Sequence, residues 1–315
     1  MTAGRELLGG PASSPGDSGE AQGLGAARLT LTLGFGPSLF RRGEDRIGLG
    51  RRQPAALVDL PPFAGDQLEL ERGGGDLCIQ ACADDPQVAF HAVRNLATIG
   101  RGTVVVRWMQ RGFRTSRASA PLTGRNLLGF RDGTNNLDAR DPAQMATNVW
   151  VGSDDGPPWM VGGTYMVIRR IRMRLEHWDA VSLAEQERTF GRRKISGAPF
   201  GGELESDPVV VSAVPPDCHI IQANPRTAES EAERILRRSY SFADGLDSRF
   251  GELDAGLFFV CFQRDPRRQF IPIQQRLSQH DHLREYIFHT GGGIFAIPPG
   301  IHPGGSIAGK LLTTV

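Results

Sequence analysis

The chain has 315 residues, enough for two domains of ordinary size or one large one. Its 36 basic and 35 acidic residues nearly cancel, so the bulk basic field that draws in nucleic acid is missing. No apolar run is long enough to span a bilayer, and the first residues lack the basic start and apolar core of a secretory signal.

Residues 1–25 are Gly, Ser, Ala and Pro with a few charges, the composition of a disordered linker. Ala27 to Leu33 alternates with period two and predicts a strand. Residues 38–75 are punctuated by Pro and Gly and read as loops with short pieces of structure. Leu77 to Ala83 predicts a second strand. After Pro86, which suits a helix's first turn, Val88, Ala92, Leu96 and Ile99 recur at helical spacing. Thr103 to Trp108 predicts a third strand. A loop centred on Gly129-Phe130-Arg131-Asp132-Gly133 follows. A similar run then begins. It has a strand over Thr164 to Arg172, a helix over Leu175 to Phe190 and a short strand at Val209 to Val211. Gly256 to Phe262 is a continuous apolar run, expected of a strand buried on both faces. Phe270, Ile273, Leu277, His280 and Ile287 mark a helix, and Ile294 to Ile297 closes as a strand. Two successive α+β units with antiparallel sheets follow, with expected spans of 26–155 and 156–315.

Three places carry candidate chemistry. In the first, the glycines of Gly129-x-x-Asp132-Gly133 free the backbone to turn around one carboxylate, and Thr134, Asn135 and Asn136 add short polar groups that bond locally. This is how an acid is held rigidly over a ligand; it is also ordinary Asp-Gly turn chemistry. Second, His219 follows Pro215-Pro216-Asp217-Cys218 at the start of an apolar stretch, where a neutral imidazole can ligate a metal or simply serve the fold. Cys218 is the rival ligand. Third, Arg237 and Arg238 sit between apolar and aromatic residues, which suits an anchor for a carboxylate. Cys78 and Cys82 have no second Cys or His pair at zinc spacing, so they read as buried small hydrophobes. No Cys-x-x-Cys-His occurs, so covalent haem attachment is not indicated.

Several segments in order resemble the dye-decolourising peroxidase family, in particular its exported bacterial branch that includes the deferrochelatase/peroxidases. They are Gly74 to Asp85, Arg125 to Asn136, Trp159 to Tyr165, Gly191 to Lys194, Ile235 to Phe242, Phe262 to Pro266 and Glu285 to Gly291. The resemblance implies an α+β fold of two ferredoxin-like domains around one non-covalent haem b. It assigns Asp132 as the distal acid, His219 as the axial iron ligand and Arg237 as the distal arginine, with Arg238 as fallback. Glu285, or Asp281 as second choice, is the expected acid on the axial imidazole; Phe258 and Phe259 are expected haem-wall residues. Hydrogen peroxide and an organic electron donor are the implied partners, a homo-oligomer is left open, and dye turnover is expected to favour acidic pH. Electrons are expected to leave through Trp108, Trp150, Trp159, Trp178 or Tyr240. A haem-handling protein of iron uptake and a module without haem are the competing functions. The branch usually carries a twin-arginine export signal and a further N-terminal strand. Neither stands in this chain, so the first domain is expected to be incomplete and the location open.

Overall fold

The computed structural model describes residues 19–41, 48–114, 123–248, 250–302, 304–307 and 309–313. Most of the expected N-terminal linker lies outside the described residues. The fold is α+β and is built on one seven-stranded sheet. Its strands are β1 (Thr30–Phe35), β2 (Leu77–Cys82), β3 (Thr164–Met173), β4 (Leu236–Arg237), β5 (Tyr240–Asp247), β6 (Glu252–Gln263) and β7 (Ile287–Ile297). The order is β2-β1-β7-β3-β6-β4, with β5 also on β6, and the ladders are antiparallel. The strands of both expected units thus join in one sheet, and β1 meets β7 only at Phe35 opposite Ala296.

β3 lies at the centre because both of its faces are covered. Tyr165 and Val167 enter one apolar cluster with Phe63, Phe270, Ile294 and Ala296. Met166 and Ile168 enter another with Val260 and Phe295. Period-two alternation sends Arg169, Ile171 and Met173 to the first face as well. Arg170 and Arg172 take the second. There Arg170 donates to Asp244 at 2.9 Å and Asp254 at 2.8 Å, and Arg172 to Asp247 at 2.7 Å, so these buried cations are paired.

In β7 the alternation is broken by a bulge. Arg170 pairs with Gly291 and Ile171 with His289, leaving Thr290 as the extra residue. The bulge resets the parity, so Ile287 and His289 share a face with Ile294 and Ala296. The glycines beside it meet a close approach of backbone: a Cβ on Gly291 or Gly292 would strike the carbonyl oxygen of Arg72 or Ile168. The Gly74 amide donates to the Gly292 carbonyl at 2.9 Å.

Four expected elements come out differently. Thr103 to Trp108 is not a strand. Its valines are exposed, and its side chains, not a ladder, tie it down: Arg107 donates to the Gly73 carbonyl and Trp108 Nε1 to the Gly74 carbonyl, both at 2.9 Å. The expected strand at 209–211 gives way to a 3₁₀ turn at Val211–Ala213. The long helix after β3 is two helices, Leu175–Asp179 and α2 (Leu183–Phe190), because Ser182 caps the second, its hydroxyl accepting from the Glu185 amide. The helix α4 (Phe270–His280) stops at Asp281, and Ile287 begins β7 instead. The helix after Pro86 forms as expected over Pro86–Ile99 and is α1; Asp85 caps it by accepting from the Gln87 amide at 2.8 Å. Among the described residues no helix is long and apolar enough to cross a membrane.

Candidate active site

The loop from 124 to 136 is tied at both ends. The Asp132 amide donates to the Gly124 carbonyl at 2.8 Å and the Asn126 amide to the Phe130 carbonyl at 3.0 Å. Gly129 (φ +85°) and Gly133 (φ +114°) take the left-handed backbone that places Asp132 between them. Asn136 staples the loop to β4, its amide nitrogen donating to the Arg237 carbonyl and its oxygen accepting from the Arg237 amide, each at 2.9 Å. Arg237 Nη2 donates to the Thr134 carbonyl at 2.9 Å, and Nη1 stands 3.6 Å from Asp132 Oδ1. Beneath them Glu205 accepts from Thr134 Oγ1 at 2.7 Å and from Thr123 Oγ1. An acid and a fixed cation are therefore set side by side on a braced turn.

His219 opens the short helix α3 (His219–Ala223), which packs between α2 and α4. Its ring lies edge-on to Phe190, with centroids 5.7 Å apart. His219 Nδ1 shares a 2.6 Å hydrogen bond with Asp281 Oδ2, and Asp281 Oδ1 accepts from the Leu283 amide. With Nδ1 engaged, Nε2 is the nitrogen left to meet a ligand. Cys218 points elsewhere: it is fully buried beside Val214 and Ile221, and burial pushes its thiol pKa up.

Asp132, Arg237 and His219 line one cavity of about 490 Å³, within the range typical of cofactor pockets. Its apolar wall comes from Ile171 and Met173 on β3, Leu257 and Phe259 on β6, and Ile287 on β7. α4 adds Phe270, Ile273, Gln274, Leu277 and Ser278, the i, i+3, i+4 stripe of one helix face. Arg192, Arg226, Arg234 and Arg284 bring positive charge. Burial lowers the pKa of Arg192 and Arg226, and the nearby charges of Arg226 and Arg237 lower that of Arg192 further. An anion at that wall would favour the charged form of both arginines.

Three sequence expectations are corrected here. Glu285 does not hold the imidazole; Asp281 does. Asp281 ends α4 buried and aimed back at α3, whereas Glu285 lies in the next turn, more than half exposed and 3.6 Å from His282. Phe258 is not a cavity residue. Alternation turns it to the far face of β6, where it packs against Trp108, and Phe259 takes the wall. Arg238 does not line the cavity; its amide donates to the Val260 carbonyl, and Arg237 alone of the two reaches the site. None of the four tryptophans nor Tyr240 touches the cavity, although Trp178 packs against Phe190, which does. Sequence reasoning did not single out Phe190, Phe130 or His289 as site residues. The spacing of Phe190 within α2 was a visible signal; the bulge that aims His289 was not.

Phe130 stacks on Phe190 at 4.0 Å and lies edge-on to Trp178, 2% exposed and two residues before Asp132. Phe130→Ala is expected to cost about 3–5 kcal/mol of stability. A urea melt of the two proteins checks it.

The antiparallel α+β frame thus carries one cavity in which a histidine–carboxylate pair and an acid–guanidinium pair meet. Residues 123–302 match the family described as Dyp-type peroxidase, C-terminal, and residues 1–114 match Dyp-type peroxidase, N-terminal. The chain belongs to the Dyp-type peroxidase family; it is a peroxidase, and the cofactor is haem. Among its relatives, Deferrochelatase of Shigella sonnei (strain Ss046) is 39% identical over 316 aligned positions, covering 97% of this chain and 74% of the relative. Deferrochelatase of Escherichia coli (strain K12) is 38% identical with the same coverage. Ferric DtpA from Streptomyces lividans superposes with a TM-score of 0.89 at 38% identity, over 99% of this chain and 85% of that one. A DyP-type peroxidase from Streptomyces coelicolor gives 0.89 at 39% identity with the same coverage.

Proposed function

We propose that the chain reduces hydrogen peroxide at this cavity and oxidises bulky phenolic or dye-like donors, using haem b held without a covalent bond. The observation that carries the reading is the joining, in one apolar chamber, of an imidazole oriented by a buried carboxylate and an acid–guanidinium pair 3.6 Å apart. The donor set suits the cofactor: one free imidazole nitrogen for iron, apolar walls for a flat macrocycle, and arginines for its carboxylates. Bound there, haem would supply redox-active iron for the reduction of peroxide.

The protein's part is binding, orientation and proton movement. His219 Nε2 would hold the haem iron, and Asp281 on Nδ1 fixes the ring and would make it a stronger donor. Asp132 accepts the proton from one peroxide oxygen and gives it to the other as the O–O bond breaks. Arg237 keeps its charge and stabilises the negative charge developing on the leaving oxygen. A second reading, haem handling with release of iron, draws on the name Deferrochelatase carried by relatives 38–39% identical. It uses the same cavity and the same His219.

Titrating the purified chain with hemin tests both. A sharp ferric Soret band saturating at one equivalent, followed by peroxide-dependent bleaching of an anthraquinone dye, is expected. Saturation without dye oxidation, with iron released under reducing conditions, favours the second reading. Loose, non-saturating uptake defeats both.

A further inference from the structure

A second polar cluster stands at the cavity wall, apart from Asp132 and Arg237. It consists of His289 on β7, Arg169 on β3 and Asp66 on the turn Phe63–Asp66. The turn is closed by the Asp66 amide donating to the Phe63 carbonyl at 3.2 Å, and Gly65 (φ +79°) lets it bend so tightly. Ala64, Gly65 and His289 all line the cavity. The Gln67 amide donates to the His289 carbonyl at 2.9 Å, so the turn is fastened to the strand beside the bulge.

Three features set this cluster apart from a finished structural ion pair. Arg169 Nη2 binds Asp66 Oδ1, yet Asp66 Oδ2 and Arg169 Nε are both buried without a hydrogen-bond partner. His289 Nδ1 faces the same carboxylate at 3.6 Å, a gap that a small rotation or one water closes. The ring's other nitrogen lies on the opposite edge of an imidazole that lines the cavity. A bulge is spent on keeping it there. Buried polar atoms normally find partners, so two orphans in one ion pair call for an explanation.

We propose that Asp66 and His289, held by Arg169, form a second proton site of the cavity that takes up a proton when an electron enters and passes it inward through the imidazole. This rests on the peroxidase reading above. Reducing one peroxide to two waters consumes two electrons and two protons. A donor too large to enter gives its electrons from outside, and its own proton is lost to solvent there. The protons must then reach the cavity through the protein.

The proton balance is simple. The proton sits on Asp66 Oδ2, the oxygen with no donor facing it. The carboxylate's nearer oxygen, Oδ1, stands 3.6 Å from His289 Nδ1, so the proton passes to Nδ1 through one bridging water while the Nε2 proton leaves for an oxygen in the cavity. Two O–H bonds and one N–H break; one N–H and two O–H bonds form. Asp66 is reprotonated from solvent, and the ring regains its first tautomer by exchange with water. His289 does not need to become a cation, and burial together with Arg169 holds it neutral, its pKa pulled down to about 3. Burial pushes the Asp66 carboxyl up, against the pull of Arg169. Asp66 from the turn and Arg169 from β3 face His289, and Arg284 and Glu285 line the same cavity.

The test is the haem reduction potential, measured spectroelectrochemically from pH 5 to pH 8 on hemin-loaded protein. His289→Gln leaves the Arg169–Asp66 pair in place, so it reads the relay without unpairing a buried arginine. Asp66→Glu keeps an ionisable group. We expect the wild-type potential to fall with rising pH, Asp66→Asn to lose at least half of that slope, and Asp66→Glu to keep it with a displaced midpoint. In dye turnover the solvent deuterium isotope effect should rise at least about twofold in His289→Gln. An unchanged slope in Asp66→Asn, or an unchanged isotope effect in His289→Gln, overturns the proposal. Failure of the peroxidase reading looks different: hemin then binds without a defined Soret band, and no single potential exists to be measured.

Discussion

His219→Ala is expected to lose the sharp one-equivalent Soret band and to weaken hemin binding at least about 100-fold, since disturbing even the outer shell of a metal ligand costs 10–100-fold. The expectation rests on what surrounds the residue. Its neighbour Cys218 cannot take over. The thiol is fully buried among Val214 and Ile221, and it lies where a Cβ on Gly191 would come within 2.5 Å of its sulfur. Asp281 would be left buried with one of its two partners gone, and among the described residues no cluster of three or more His, Cys, Asp or Glu offers another metal site. Exogenous imidazole should restore part of the band, because the vacated space opens onto the cavity. Asp281→Asn is the graded companion. It should keep hemin but shift the spectrum, because a neutral partner no longer enriches the imidazole. If His219→Ala binds hemin as tightly as wild type with the same spectrum, the axial assignment is wrong.

How much of this was visible in the sequence depends on whether the information was local. The Gly129-x-x-Asp132-Gly133 turn was legible because glycine at positive φ is a local demand, and both glycines meet it. α1 was legible from its period and from Pro86 in its first turn. The choice between Arg237 and Arg238 was not local. It is made by the pairing of Arg237 with Cys261 on β6 and by the Asn136 staple, both long-range contacts. The choice between Phe258 and Phe259 was a question of parity, and a one-residue error in assigning faces exchanges cavity for far side. Asp281 and Glu285 are four apart; only the end of α4 at Asp281, and the turn after it, decides which carboxylate faces α3. The run from Thr103 to Trp108 has strand composition but exposed valines, because tertiary anchoring by Arg107 and Trp108 overrode propensity. His289 was hidden most deeply. Its face is set by an extra residue in β7, and no periodicity reports a bulge in advance.

Asp132→Asn should lower peroxide-dependent turnover by about 10²–10⁴-fold while hemin still binds through His219, since that is the range general acid–base catalysis supplies. Asparagine keeps the size and the hydrogen bonding of the loop but cannot accept and return a proton, so the loss reads the shuttle and not the fold. Arg237→Leu should cost about 10²–10³-fold, the effect of removing one charge-stabilising donor. Part of that loss is indirect. Arg237 Nη2 holds the Thr134 carbonyl, two residues from Asp132, so removing the side chain also loosens the acid. At 3.6 Å the two groups act on one event, and their effects should not add. The double variant is therefore expected to fall only slightly below Asp132→Asn. Stopped-flow mixing of each hemin-loaded protein with peroxide separates the possibilities. Fully multiplicative losses would mean that the two residues serve different steps. An Asp132→Asn protein with wild-type turnover would move the proton work to another group, and the carboxyl of Asp66 behind His289 is the first candidate to test.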